Sequence, residues 1–241
     1  VDCMTYSMNS ATMTTPIIVT LIICAVAIIG FLIYYYNGKQ VIIRTLSKIP
    51  HKPASSLKTN EFSKVSGKAL HVEEPLKAPY SGRKCVFYQM KIQKKVSNGK
   101  SSNWKTIVTE EKFQDFFVDT NGDFVIIKPN DNPRNYICHL VTDKSQSSGT
   151  FNDPTPKFVA LLKRYNIEPE TYFGFNRTLR YEEGIIEIGE RITVAGIAKW
   201  KSLSEPMPEY PYSKIATLES DGKQKLIITD LPEVLPNKNR R

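Results

Sequence analysis

An uncharged apolar stretch at residues 16–36 constrains this chain more than any other feature of its sequence. Its 21 residues, PIIVTLIICAVAIIGFLIYYY, would extend for about 30 Å as a helix, which matches the hydrocarbon core of a bilayer. The stretch is apolar all round, whereas a helix in a soluble core has one apolar and one polar face. Tyr34, Tyr35 and Tyr36 end it, and phenol rings suit the headgroup layer. The sequence therefore predicts one transmembrane helix at 16–36.

The distribution of charge predicts the orientation of this helix. All 33 Lys and Arg residues follow the apolar stretch, and the only charge before it is Asp2. Basic flanks stay on the cytoplasmic side, so we expect a short tail outside, at 1–15, and the bulk of the chain in the cytoplasm of a single-pass cell-membrane protein. A cleaved signal peptide fits poorly, because its basic first region and its cleavage site of small residues are missing.

The rest of the chain is basic and long enough for a domain with its own core. About 205 residues follow the helix, which is enough for one large domain or two small ones. A basic excess suits an anionic leaflet or nucleic acid, and beside a membrane tether we favour the lipid bilayer. No clustered aromatic and basic motif supports nucleic-acid binding, so we expect no nucleic-acid partner.

Short runs of aromatic and β-branched residues predict a mainly β (α+β) domain with one helix. The helix begins at Thr155-Pro156, an N-cap followed by a first-turn proline. Asn98-Gly99 and Asn121-Gly122-Asp123 predict turns between strands, while Gly189 and Asp221-Gly222 predict two further hairpins. The predicted strands lie at 65–72, 85–96, 104–110, 113–119, 124–128, 136–141, 178–186, 191–200, 215–218 and 226–229. Around them we expect a linker at 37–60, a domain at 61–200, and a proline-rich segment, small hairpin and polar tail at 201–241.

A catalytic or metal-binding constellation is missing from the sequence. His139 follows Cys138, but neighbours on a strand point to opposite faces and cannot act as nucleophile and base. The adjacent acids Glu110-Glu111 and Glu182-Glu183 are expected on solvent faces. The four cysteines show no ligand spacing, and Cys85 and Cys138 are expected as small core residues. We therefore predict no catalytic residue, no cofactor and no metal, and Gly82, Gly184, Gly189 and Gly196 are expected to serve the fold.

Four blocks of the sequence resemble the GIDE domain, which is also called BAM, for "beside a membrane". They are GKALHVEEPLKAPYSGRKCVFYQMKI at 67–92, WKTIVTEEK at 104–112, TPKFVALLKRYNI at 155–167 and LRYEEGIIEIGERITVAGIA at 179–198. The family includes the mitochondrial RING-type ubiquitin ligase of animals and plants and many prokaryotic membrane proteins. The resemblance implies a β-barrel-like domain with one packed helix, used for recognising partners.

The chain departs from the eukaryotic ligase in two respects. One span precedes the domain instead of two flanking it, and no cysteine follows Cys138, so the C-terminal part cannot form a RING finger. The resemblance therefore implies a prokaryotic-type member without ubiquitin transfer of its own.

Two functions remain open on this reading. The first is a membrane-anchored module that binds a protein partner at the cytoplasmic face. The alternative is the substrate-recognition part of an E3 ubiquitin ligase-type system whose RING belongs to another chain. In either case we expect the partner to meet an exposed strand edge or the 75–83 loop. In that region Pro75, Pro79 and Ser81 would shape the loop, while Arg83 and Lys84 would supply charge.

Overall fold

A computed structural model describes residues 8–203 and 213–236 of the chain. The chain divides into two compact units, residues 1–45 and 46–241. The first unit contains helix α1 (Met8–Tyr35), and helix α2 (Gly38–Ser47) runs into the second. Within the described residues, α1 is the one helix that is long and apolar enough to cross a membrane: residues 18–35 have a mean hydropathy of 2.7 and none is buried.

The second unit is mainly β, as the sequence predicts. It contains helix α3 (Pro156–Arg164), short 3₁₀ turns at Ala54–Ser56 and Pro232–Val234, and twelve strands in two sheets. The strands are β1 (Phe62–His71), β2 (Leu76–Lys77), β3 (Lys84–Ser97), β4 (Ser102–Phe113), β5 (Phe116–Asp119), β6 (Phe124–Ile127), β7 (Tyr136–His139), β8 (Lys144–Ser148), β9 (Leu179–Glu187), β10 (Arg191–Ser202), β11 (Lys214–Glu219) and β12 (Leu226–Thr229).

Five strands of the larger sheet close into a barrel. Their order is β1-β5-β6-β11-β10, and β10 pairs back with β1 to close the ring. All neighbours are antiparallel except β6 and β11. Such a five-stranded Greek-key arrangement is the architecture of OB-folds. Strands β12 and β7 extend the sheet from β10.

Strand β1 changes partner from β10 to β5 at Lys68, directly after Gly67. Its first residues pair with β10 and its last with β5, and Lys68 pairs with both. A Cβ atom at Gly67 would lie 2.1 Å from the carbonyl oxygen of Asp119, so no other residue fits without moving the backbone. The barrel therefore depends on glycine at this crossing.

The barrel core combines small and branched apolar side chains with a few aromatic rings, among them Phe116. Its fully buried members include Val65, Val118, Ile127, Val194 and Leu218. Ala54 and Leu57, from the segment expected as a linker, also belong to this core. The chain after α2 is therefore part of the barrel.

The smaller sheet is a half-barrel filled by α3. Strand β3 lies at its centre, with β4 and the short β2 on one side and β9 and then β8 on the other. Helix α3 begins as the sequence predicts, because the Thr155 hydroxyl accepts a hydrogen bond from the Phe158 amide at 3.3 Å. Phe158, Leu161 and Leu162 then pack against a second core, which includes Met90 and Tyr181.

Two predicted hairpins are wrong. Strands β9 and β10 do not pair with each other: β9 belongs to the half-barrel and β10 to the barrel, so Gly189, at φ +85°, turns a corner between two sheets. Strands β11 and β12 do not pair either, because both lie along the same side of the long strand β10. The turns at Asn98-Gly99 and Asn121-Gly122-Asp123 are confirmed. Residues 204–212 of the proline-rich segment and 237–241 of the polar tail lie outside the described residues.

Candidate functional site

The 75–83 loop, predicted as a partner-binding element, is held in place by a buried carboxylate. Glu183 has no exposed surface, and it accepts hydrogen bonds from the backbone amides of Tyr80, at 2.9 Å, and Ser81, at 3.2 Å. The hydroxyl of Tyr181 donates a third, at 2.7 Å. Burial and the bond to Glu183 raise the pKa of the Tyr181 phenol above its usual value. The loop is therefore anchored to the half-barrel.

The expectation that the acid pairs lie on solvent faces is wrong for Glu183. Neighbours on a strand point to opposite faces, so only Glu182 of that pair lies near solvent, where it forms ion pairs with Lys91 and Arg180. Glu110 and Glu111 are also partly covered, because tyrosines donate to both.

The predicted site residues of the 75–83 region differ in what they can offer a partner. Pro75, Pro79 and Ser81 are half-buried, and the hydroxyl of Ser81 accepts from the amide of Arg83 at 3.4 Å. Arg83 does not present a free charge, since its guanidinium forms ion pairs with Asp143 and Glu187, both at 3.0 Å. Lys84 is exposed. Of the two predicted cations, Lys84 is therefore the one that faces solvent.

Carboxylates gather at the Gly189 corner, around a small cavity of 370 Å³. Burial, together with the nearby Asp230, Asp143 and Glu187, raises the pKa of Glu190 to about 7. Burial likewise raises the pKa of Asp230 to about 6. No group of three His, Cys, Asp or Glu residues within 8–203 and 213–236 is arranged to hold a metal ion. Two carboxyl groups with raised pKa values therefore lie near this corner.

A second, shallow cavity of 770 Å³ lies beside Trp200 on the barrel. The indole nitrogen of Trp200 donates to the carbonyl oxygen of Leu57 at 2.9 Å, so its polar group is already used. Among the described residues of the lining, Asp123 and Lys214 are charged and Trp200 is aromatic.

Strand β4 is a long free edge of the half-barrel. Over the described chain it pairs only with β3, through every residue except Ile107. The pairing passes from Val108↔Ile92 to Thr106↔Gln93, which makes Ile107 the extra residue of a β-bulge. Ile107 and Trp104 are 39% and 38% exposed, and the Arg180 guanidinium lies 4.5 Å from the Trp104 ring centroid. The edge therefore offers unpaired backbone next to two exposed apolar side chains.

Two loops on either side of α3 present aromatic rings to solvent, and sequence reasoning missed them. Phe151 is 101% exposed, Tyr172 98%, Phe173 81% and Phe175 61%. We call residues 150–153 and 170–176 the aromatic loops. The signal was present in the sequence: TYFGF, at 171–175, follows Pro169 and belongs to no predicted strand, so its rings had no expected core to fill.

Comparison with known protein families, curated proteins and solved structures finds no match to this chain. The site must therefore be interpreted from its own geometry. That geometry provides surfaces for contact: a strand edge, an anchored loop and two aromatic loops.

Proposed function

We propose that the chain is a single-pass membrane protein in which α1 crosses the membrane and the β domain binds a protein partner at the cytoplasmic face. Exposed apolar side chains along the whole of residues 18–35 support the span, because such a surface is stable in lipid and costly in water. The absence of Lys and Arg before the helix supports the orientation.

The free edge of β4 is the observation that carries partner binding. An exposed edge can accept an extended peptide as an additional strand, since its outward backbone groups lack partners. Main-chain hydrogen bonds then supply affinity, and neighbouring side chains supply selectivity. On β4 the exposed side chains of Trp104 and Ile107 would select an apolar partner segment.

The resemblance to the GIDE domain supports the same surface. The block at 104–112 lies in β4, and the block at 67–92 covers the end of β1, the 75–83 loop and the first part of β3. If the chain instead recognises substrates for a ubiquitin ligase whose RING is on another chain, the same edge would bind the substrate. The two proposals differ in the identity of the captured protein.

Three experiments test this proposal. Protease added to intact cells or spheroplasts should leave the domain uncut, and digestion from outside would overturn the orientation. Pull-down from solubilised membranes should capture a protein partner with and without nuclease. Adding that partner to the purified full chain should slow amide hydrogen exchange in β4.

A matched pair of variants tests the edge itself. Ile107→Lys places a charge on the β4 edge, and Ile137→Lys places one on β7 at a side chain of similar exposure, 44% against 39%. The first should weaken capture of the partner at least about tenfold and the second should leave it unchanged. Equal capture by both variants would remove β4 from the proposal.

A further inference from the structure

The aromatic loops form a small, protruding apolar surface built by local hydrogen bonds. In the second loop, the Thr171 amide donates to the Phe175 carbonyl at 2.7 Å, and Gly174 has φ +78°. In the first, Gly149 and Asn152 exchange backbone hydrogen bonds, both at 2.9 Å. The Asn176 side chain donates to Asp153 at 2.5 Å, which joins the two loops. The two loops that carry the rings are therefore linked to each other.

Almost complete exposure distinguishes these rings from an ordinary protein-binding patch. Phe151 and Tyr172 have essentially their full area in water, and the contact of Tyr172 with Phe173 is edge-to-face at 5.7 Å. Hot spots of protein interfaces lie in packed pockets surrounded by a rim. Isolated rings on loop tips resemble instead the Tyr-rich belts that lie at the boundary between lipid and water.

The bilayer in which α1 is proposed to lie would provide an apolar environment for these rings. On the proposed function, α1 lies in a bilayer, and the chain between its end at Tyr35 and the start of the domain at Leu46 can extend at most about 40 Å. A tether of this length keeps the domain at high effective concentration next to the membrane. Lipid is therefore the apolar material that the aromatic loops would meet most often.

The charges around the rings indicate which lipids would be needed. Five charged residues lie on or near the loops in the sequence: the acids Asp153, Glu168 and Glu170 and the bases Lys157 and Arg177. With acids and bases nearly balanced, attraction to an anionic leaflet contributes little at this place. Insertion of the rings would be driven by burial of apolar area and would persist with zwitterionic lipid and at high salt.

We propose that the aromatic loops are a second membrane contact, in which Phe151, Tyr172, Phe173 and Phe175 insert into the interfacial layer of the bilayer that α1 spans. The contact rests on the proposed span. It would fix the orientation of the domain at the membrane surface, and it does not involve the β4 edge.

Tryptophan fluorescence of the full chain in phosphatidylcholine nanodiscs tests this contact. Phe173→Trp adds a fluorophore to the loops, and Lys100→Trp adds one to the exposed turn between β3 and β4; the native signal of Trp104 and Trp200 is subtracted by using the unsubstituted chain. Brominated lipid should quench the added emission of Phe173→Trp, at low and at high salt, and leave that of Lys100→Trp unchanged. Replacing Phe151, Tyr172 and Phe175 by Ser in the Phe173→Trp chain should remove the quenching.

The other outcomes each overturn the contact in a recognisable way. Emission quenched by aqueous acrylamide and not by brominated lipid places the loops in water. Protection from both quenchers places them against protein, which in a purified sample is a second copy. Quenching at both positions shows general proximity caused by the tether. A chain that does not incorporate into nanodiscs would instead contradict the proposed span, so the two failures are distinguishable.

Discussion

The closed barrel and the half-barrel stabilise their interiors by different means. In the barrel, every strand of the ring has two neighbours, and its core is apolar apart from pairs such as the hydroxyls of Ser66 and Thr193, 2.8 Å apart. Within the described residues, the half-barrel has free edges and is filled by α3. Tyrosine hydroxyls donate to the buried carboxylate of Glu183 and to the partly covered one of Glu110. Burial and the Glu110 carboxylate raise the pKa of Tyr165 above its usual value, so the hydroxyl keeps its proton as a donor.

Because of this difference, the closed barrel is the scaffold of the domain, and the surfaces available for contact lie on the half-barrel side. Closure satisfies the backbone of the barrel without help from other elements. An open sheet needs a helix over its concave face and leaves edges and loops available. The 75–83 loop, the β4 edge and the aromatic loops all belong to the half-barrel side of the domain.

The largest expected effect on stability comes from replacing one fully buried phenylalanine in each core. Phe116→Ala in the barrel and Phe158→Ala in α3 should each lower the free energy of unfolding by about 3–5 kcal/mol, because each leaves a cavity. Their amide exchange should differ: Phe158→Ala should expose α3 and leave the barrel strands protected, since the buried face of α3 packs on the half-barrel core. Equal loss of protection in β5 and β6 would show that the two cores unfold as one.

The buried carboxylate Glu183 should be the next most sensitive position. Glu183→Ala leaves two backbone amides and the Tyr181 hydroxyl without their acceptor, so we expect a loss of about 2–4 kcal/mol of stability. Its neighbour Glu182→Ala removes only partly exposed ion pairs and should cost about 1 kcal/mol or less. Chemical denaturation of both variants measures the difference. Equal costs would contradict the anchoring of the 75–83 loop.

A substitution of Gly189, at the corner between the two sheets, should have an intermediate effect on stability. Gly189→Val forces a branched side chain into positive φ and should cost about 1–3 kcal/mol. Gly149→Ala is the control, because its φ is ordinary and its new Cβ would lie 3.6 Å from the nearest side-chain atom, in normal contact. The control should change stability by about 0.5 kcal/mol or less. An unchanged melting temperature for Gly189→Val would argue against a strained corner.

The smallest expected effect is a pH dependence at the same corner. The pKa of the Glu190 carboxyl group is 4.5 in the unfolded chain and is raised in the folded chain. The folded chain therefore binds the proton of this carboxyl group more tightly than the unfolded chain does. The resulting stabilisation is present below about pH 4.5 and is lost as the pH rises through the folded value of about 7. Glu190→Gln should therefore be more stable than the unsubstituted chain at pH 8, on the order of 1 kcal/mol, and equal to it at pH 4. Melting curves at both pH values test this, and a variant that is less stable at pH 8 would reverse the sign.

Sequence patterns predict α3 and most of the strands, but they miss α2, β2 and β8 and much of the strand pairing. The 3.6-residue period of α3 and the Asn-Gly turns are local signals, so they identified the helix and two strand connections correctly. The pairing of β10 with β1, β11 and β12 is set by long-range packing, which no local pattern encodes. For that reason Gly189 was recognised as a turn, but the destination of the strand that follows it was not.

Local sequence patterns also fail to show which of these side chains are buried and which are exposed. A carboxylate on a strand is usually exposed, and only the contacts of Glu183 with residues about 100 positions away reveal its burial. Phe151 and the TYFGF segment are apolar in composition, and apolar residues are usually core. They lie in the connections before and after α3 and belong to neither core.

The parallel pairing of β6 with β11 has a consequence for the order in which the chain acquires its structure. Val125 pairs with Ala216, so the ring cannot close until most of the domain has been synthesised. At about 5–20 residues per second, the ribosome would leave the first barrel strands unpaired on one side for several seconds. During that time α1 has already emerged, and the future core of the nascent domain would be accessible to chaperones.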